Sequence, residues 1–141
     1  MTRRESNTFI YLNLIVFIEG AVYFYFKYFQ LVPTEYGERP HGYTSFLQHT
    51  HILFVPSLLV LFGYFLKIHI LDKLNSGIKT KRVSGISMLI IFILMSISGY
   101  MLQFGYELDI SNYIGSLHII TSALWLVILV WHVKNKGLKI K

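Results

Sequence analysis

The stretch GSLHIITSALWLVILVWHV, residues 115–133, contains no Asp, Glu, Lys, Arg or Pro. About 20 mainly apolar residues are what an α-helix needs to cross a hydrocarbon core about 30 Å thick, so this stretch reads as a membrane span. It also carries two histidines, His118 and His132, one toward each end. Three further stretches upstream share its character: RVSGISMLIIFILMSISGYMLQFG (82–105), QHTHILFVPSLLVLFGYFLKIHI (48–70) and TFIYLNLIVFIEGAVYFYFKYFQLV (8–32). The expected fold is an all-α integral membrane four-helix bundle filling residues 1–141 as one domain. Its spans are expected at about 7–32, 45–71, 84–105 and 111–133, with short connections making successive helices antiparallel neighbours.

Composition agrees. Of 141 residues, 54% are hydrophobic and 14% charged, too apolar a balance for an ordinary soluble domain. The net charge of +6 does not point to nucleic acid, because the basic residues are sorted by loop instead of gathered on one face. Arg3 and Arg4 precede the first span. Lys67, Lys73, Lys79, Lys81 and Arg82 surround the second connection, and Lys134, Lys136, Lys139 and Lys141 end the chain, against Lys27 and Arg39 on the other side. The positive-inside rule therefore puts both termini in the cytoplasm. The Glu107 and Asp109 turn between the third and fourth spans suits the outside. Thr2-Arg3-Arg4 faintly resembles a twin-arginine signal, but no small-residue cleavage site closes the first apolar run, which reads as an uncleaved helix. Pro33 is expected to stop that helix, and Pro56 to bend the second.

The chain has no cysteine, which excludes a disulfide, a covalently attached c-type haem and a Cys-ligated iron–sulfur cluster. Redox chemistry would fall to histidine, of which there are six. Ionisable groups at membrane depth are costly and usually face a bundle interior. His51 and His69 are 18 residues apart, five α-helical turns, and so share a face; His118 and His132 are 14 apart, within about 40° of a shared face. The second and fourth helices run the same way, which puts His51 and His118 near the outer surface and His69 and His132 near the inner. Imidazoles from two helices at one level are what a bis-histidine haem requires, and two haems would bridge the membrane. The helix rise separates the ligands by about 21 Å on the fourth helix and about 27 Å on the second, a mismatch that tilt, the Pro56 bend or an oblique haem plane would absorb. One haem remains the expectation if a pair is wrongly matched. Zinc is disfavoured, because three or four ligands must lie within about 2 Å of one ion.

Gly85 and Gly99 on the third helix, also 14 apart, are expected at the levels of His132 and His118, where a missing side chain admits a flat macrocycle. Close helix packing, the usual role of small residues in membranes, explains the same glycines equally well. His41 and His49 read as interfacial, and His51 is preferred to His49 as ligand because His49 falls about 200° from His69. Glu19, near the bilayer centre, is expected to be neutral or hydrogen-bonded inside the bundle, with a proton relay and a structural hydrogen bond both open. Lys67 and Arg82 are explained by topology without haem propionates, and Lys27 snorkels outward.

Residues 48–70, 82–105 and 115–133 together resemble the small four-helix membrane b-type cytochromes of bacteria. The likeness covers roughly residues 45–133 and is similar to the cytochrome b subunits of formate dehydrogenases and nickel–iron hydrogenases. It implies a bacterial inner-membrane protein with two haems b, His51, His69, His118 and His132 as axial and metal ligands, and Ser98-Gly99-Tyr100 on the haem-facing third helix. It further implies exchange of electrons with quinone or quinol and a periplasmic or membrane redox partner subunit. Those larger subunits draw one ligand from their first helix, which has no histidine here. The expected function is accordingly a non-catalytic electron relay. The contrasting expectation is a non-redox membrane anchor or assembly subunit; a transporter ranks last, since only Glu19 and Pro56 lie near the midplane as such a site requires.

Overall fold

The computed structural model describes residues 3–76, 82–104 and 110–134. The Glu107–Asp109 turn and most of the basic residues of the second connection and C-terminus lie outside them. Four helices are long and apolar enough to cross a membrane. They are α1 (Arg3–Tyr28), α2 (Tyr43–Phe65) with its continuation, α4 (Arg82–Phe104) and α5 (Ser111–Lys134). Between α1 and α2 stands an antiparallel hairpin of β1 (Leu31–Thr34) and β2 (Gly37–Pro40). By contact the chain divides into two compact units, Met1–Leu71 and Asp72–Lys141.

In the first unit α1 packs antiparallel on α2. Phe9 meets Phe65 edge-on at 5.0 Å, while Phe26 at the far end of α1 meets Tyr43 at the start of α2. The first span ends at Tyr28, four residues short of the expected 32, and Pro33 is not what stops it. Leu31 and Val32 pair instead with Pro40 and Arg39. A two-residue turn at Glu35 and Tyr36 closes the hairpin, and the next residue, Gly37, takes φ +107°, a conformation that favours glycine. His41 then starts α2: its carbonyl accepts the Thr44 N–H, its Nδ1 accepts the Tyr43 N–H at 3.2 Å, and its ring stacks on Tyr43. This supplies acceptors that the exposed N–H groups of a helix start need.

α2 runs through Pro56 without interruption, then changes to a π-helix over Leu66–Leu71 and ends in the short α3 (Asp72–Asn75). The i→i+5 bonding of a π-helix puts more residues into each turn. The count of five whole α-turns from His51 to His69 therefore fails over its last residues, since each step there turns and rises less.

The second unit is the antiparallel pair α4 and α5. Ile114, Thr121, Trp125 and Leu129 on α5 are buried, a stripe at helical spacing, against Ser84, Met88, Phe92 and Ser98 on α4. Phe92 and Trp125 meet at 5.1 Å at its centre. His118 and His132 fall on the same α5 stripe, each partly buried.

Candidate functional site

Three histidines are seated in the same way, each against a glycine preceded by a polar residue on the neighbouring helix. In the second unit, a Cβ built on Gly99 would lie 2.7 Å from His118 Cε1, 3.0 Å from Nδ1 and 3.6 Å from Nε2. A real Cβ does not approach this closely, so only glycine leaves room for the ring. His118 Nδ1 is 3.0 Å from the Met95 carbonyl oxygen and 3.4 Å from Ser98 Oγ. Ser98, only 1% exposed, donates its own proton to the same carbonyl. A carbonyl only accepts, so this contact calls for a proton on His118 Nδ1.

At the other end of the pair, Ser84 Oγ is 2.7 Å from His132 Nδ1, and a Cβ on Gly85 would lie 4.0 Å from His132 Cε1. Ser84-Gly85 and Ser98-Gly99 thus repeat one dipeptide at the levels of His132 and His118. The space left by both glycines is taken by the imidazoles themselves, closely at Gly99 and loosely at Gly85. Tyr100, which follows this dipeptide, is 68% exposed and takes no part in the seat.

The first unit builds the same seat with different chemistry. Glu19-Gly20 on α1 faces His51 on α2: a Cβ on Gly20 would lie 3.0 Å from His51 Cε1, 3.4 Å from Nδ1 and 3.8 Å from Nε2. His51 Nδ1 is hydrogen-bonded to Glu19 Oε2 at 2.8 Å, with the side chains 21% and 16% exposed. Thr50 Oγ1 lies 2.7 Å from the other oxygen, Oε1, as well as within reach of the Leu47 and Phe46 carbonyls of its own helix. Glu19 is thus hydrogen-bonded within the helix pair. His49 turns away, its Nδ1 2.6 Å from the Ser45 carbonyl one turn back, and is exposed. His69 lies on the π-helical stretch, partly buried. Lys67 and Arg82 are exposed.

Gly20 and Thr50 were not singled out from the sequence, and Ser84 was passed over. The signal available was the polar-Gly dipeptide, which recurs as Glu19-Gly20, Ser84-Gly85 and Ser98-Gly99. It becomes meaningful only once a histidine is known to stand opposite each copy.

A second-layer acceptor on one ring nitrogen, which fixes the tautomer and ring orientation, is how proteins prepare a histidine to ligate a metal through the other. His51 and His118 have that arrangement, and His132 does with a serine hydroxyl in the acceptor's place. The donor set therefore fits an imidazole-ligated iron of the haem type. No family model, curated protein or solved structure matches the chain.

Proposed function

We propose that this protein is a multi-pass membrane cytochrome of b type, with two haems ligated by His51, His69, His118 and His132 through their Nε2 atoms. The observation that carries the reading is the shared histidine seat. Two separately packed helix pairs each hold an imidazole against a glycine with its Nδ1 at hydrogen-bond distance from an oxygen of the neighbouring helix. A histidine kept only for helix packing does not require that repetition.

Held by these histidines, the group would supply a one-electron ferric–ferrous couple. The chain's own residues orient the imidazoles: Met95 and Glu19 bond Nδ1 of His118 and His51, Ser84 bonds Nδ1 of His132, and the glycines let the rings approach. The apolar helices keep water from the site. The protein relays electrons between a quinone or quinol in the bilayer and a periplasmic or membrane-bound redox subunit. The loop charges support a bundle with both termini in the cytoplasm, and the membrane proposed is the bacterial inner one.

The test is a reduced-minus-oxidised spectrum of the protein in mild detergent, with haem per chain measured by pyridine haemochrome. Wild type is expected to show a b-type spectrum near two haems per chain, and H118A and H132A to lose about one each. Haem-free protein from haem-replete cells would sink the reading and leave a non-redox anchor, for which the close Gly–imidazole packing is then the whole purpose.

A further inference from the structure

The first unit carries a second feature, farther along α2 than His51. An open groove of about 560 Å³ runs between α1 and α2, lined by Leu12, Pro56, Ser57, Val60, Leu61 and Tyr64. Its volume lies within the range of about 300–1,000 Å³ usual for ligand clefts. Ser57, Val60, Leu61 and Tyr64 follow at i, i+3, i+4 and i+7, one face of α2, and the shorter Ser57 and Val60 leave the hollow that Leu12 of α1 borders. Val60 is 76% and Tyr64 49% exposed, so the groove is open along its length.

The lining gives a ligand little to bond with. Ser57 Oγ donates to the Phe54 carbonyl at 2.6 Å and the Tyr64 hydroxyl to Glu5 Oε1 at 3.1 Å, so both hydroxyls are already in use. A quinone ring asks for donors at its carbonyl oxygens, whereas a hydrocarbon chain asks for none. Charge is gathered at one end instead. The Tyr64–Glu5 bond marks where α1 begins, and there Arg4 precedes Glu5 while Lys67 follows Tyr64 by three residues, both basic side chains exposed. An apolar trough ending among basic residues is complementary to a molecule with long chains and an anionic head.

We propose that this groove seats an acyl chain of an anionic phospholipid, with its phosphate drawn to Arg4 and Lys67. The inference rests on the membrane part of the reading above and is independent of haem. Lipid tails are as apolar as the groove, so a chain gains only packing by entering it, and selection among lipids falls to the head. A basic residue near the membrane surface favours an anionic head about fivefold. The groove decides where the lipid lies, and Arg4 and Lys67 decide which lipid it is. Glu5 works against them, its charge opposing that of the phosphate.

The experiment is native mass spectrometry of the full chain in mild detergent, titrated with phosphatidylglycerol or with phosphatidylcholine of the same chains. Wild type is expected to hold one phosphatidylglycerol in preference to phosphatidylcholine. R4Q and K67Q should each lower that preference about fivefold. E5Q should raise it, because glutamine still accepts the Tyr64 hydroxyl but carries no charge. V60W fills the groove from an exposed position and should weaken the binding of both lipids. Equal affinity for the two lipids, or a preference unmoved in R4Q and K67Q, would overturn the proposal. Undiminished binding in V60W would do the same, as would a groove-dependent adduct with the mass of an isoprenoid quinone or of a second chain. If V60W does not fold, the three charge variants decide alone. A chain that does not enter membranes would overturn the membrane reading and this inference with it, whereas haem-free protein leaves the lipid site standing.

Discussion

Met1–Leu71 and Asp72–Lys141 solve one packing problem with two chemistries. Each contains an antiparallel helix pair in which an imidazole of one helix presses on a glycine of the other, His51 on Gly20 and His118 on Gly99. In the second unit the supporting groups are neutral and small, and α5 runs as one regular helix across both histidines. In the first, a carboxylate supports His51, and the helix carrying His51 and His69 contains Pro56 and changes to a π-helix around His69. A β-hairpin joins α1 to α2. Ring orientation therefore needs only a glycine and an acceptor at Nδ1, whereas the choice of acceptor is open.

The largest effect is expected where the two seats are tightest. In Gly99→Ala the new methyl would sit 2.7 Å from the His118 ring, so ring or helix must shift. Overpacking of this kind costs about 1–3 kcal/mol, and on the proposed cytochrome reading loss of haem should accompany it. Thermal unfolding in detergent and haem per chain report both. Gly20→Ala, at 3.0 Å from His51, should act in the same sense but more weakly; a larger loss there than at Gly99 would break the equivalence of the two seats.

Gly37→Ala probes a feature of the first unit. At φ +107° a side chain is strained, and the substitution should cost about 1 kcal/mol without changing haem content. Ser84→Ala removes the hydroxyl 2.7 Å from His132 Nδ1 and should also cost about 1 kcal/mol. Its spectrum should keep both haems but change slightly, since the Gly85 seat remains. Smallest is Gly85→Ala. Its methyl would make an ordinary contact with His132 at 4.0 Å, and alanine favours a helix, so stability should stay within about 0.5 kcal/mol of wild type. A large loss at Gly85 would show that the space beside His132 serves something other than the ring.

Much of this was legible in the residues. Long apolar runs identify the four helices because hydrocarbon must be matched over its whole thickness, and the 14-residue spacing of Gly85 and Gly99 against that of His132 and His118 anticipates which glycine meets which ring. The end of α1 was not legible: Leu31 and Val32 are as apolar as the helix before them, and only pairing with Arg39 and Pro40 turns them into a strand. Nor was the π-helix at Leu66–Leu71, since backbone bonding one residue longer leaves no mark in hydropathy. For Glu19 the sequence shows the expense of its position, and the structure shows that His51 and Thr50 share it.

By itself, then, the sequence determined the number and approximate extent of the apolar helices, the absence of cysteine chemistry and the repeat of histidine and glycine at matching intervals. These are properties of composition and period, which the chain carries before it folds. Tertiary structure alone decided which oxygens stand beside Nδ1 of His51 and His118, that the room beside Gly99 and Gly20 goes to an imidazole, and that one histidine is backed by a carboxyl group. Those facts depend on the atoms of two helices lying within about 3 Å of each other, the reach of a hydrogen bond, which no spacing along a single helix specifies.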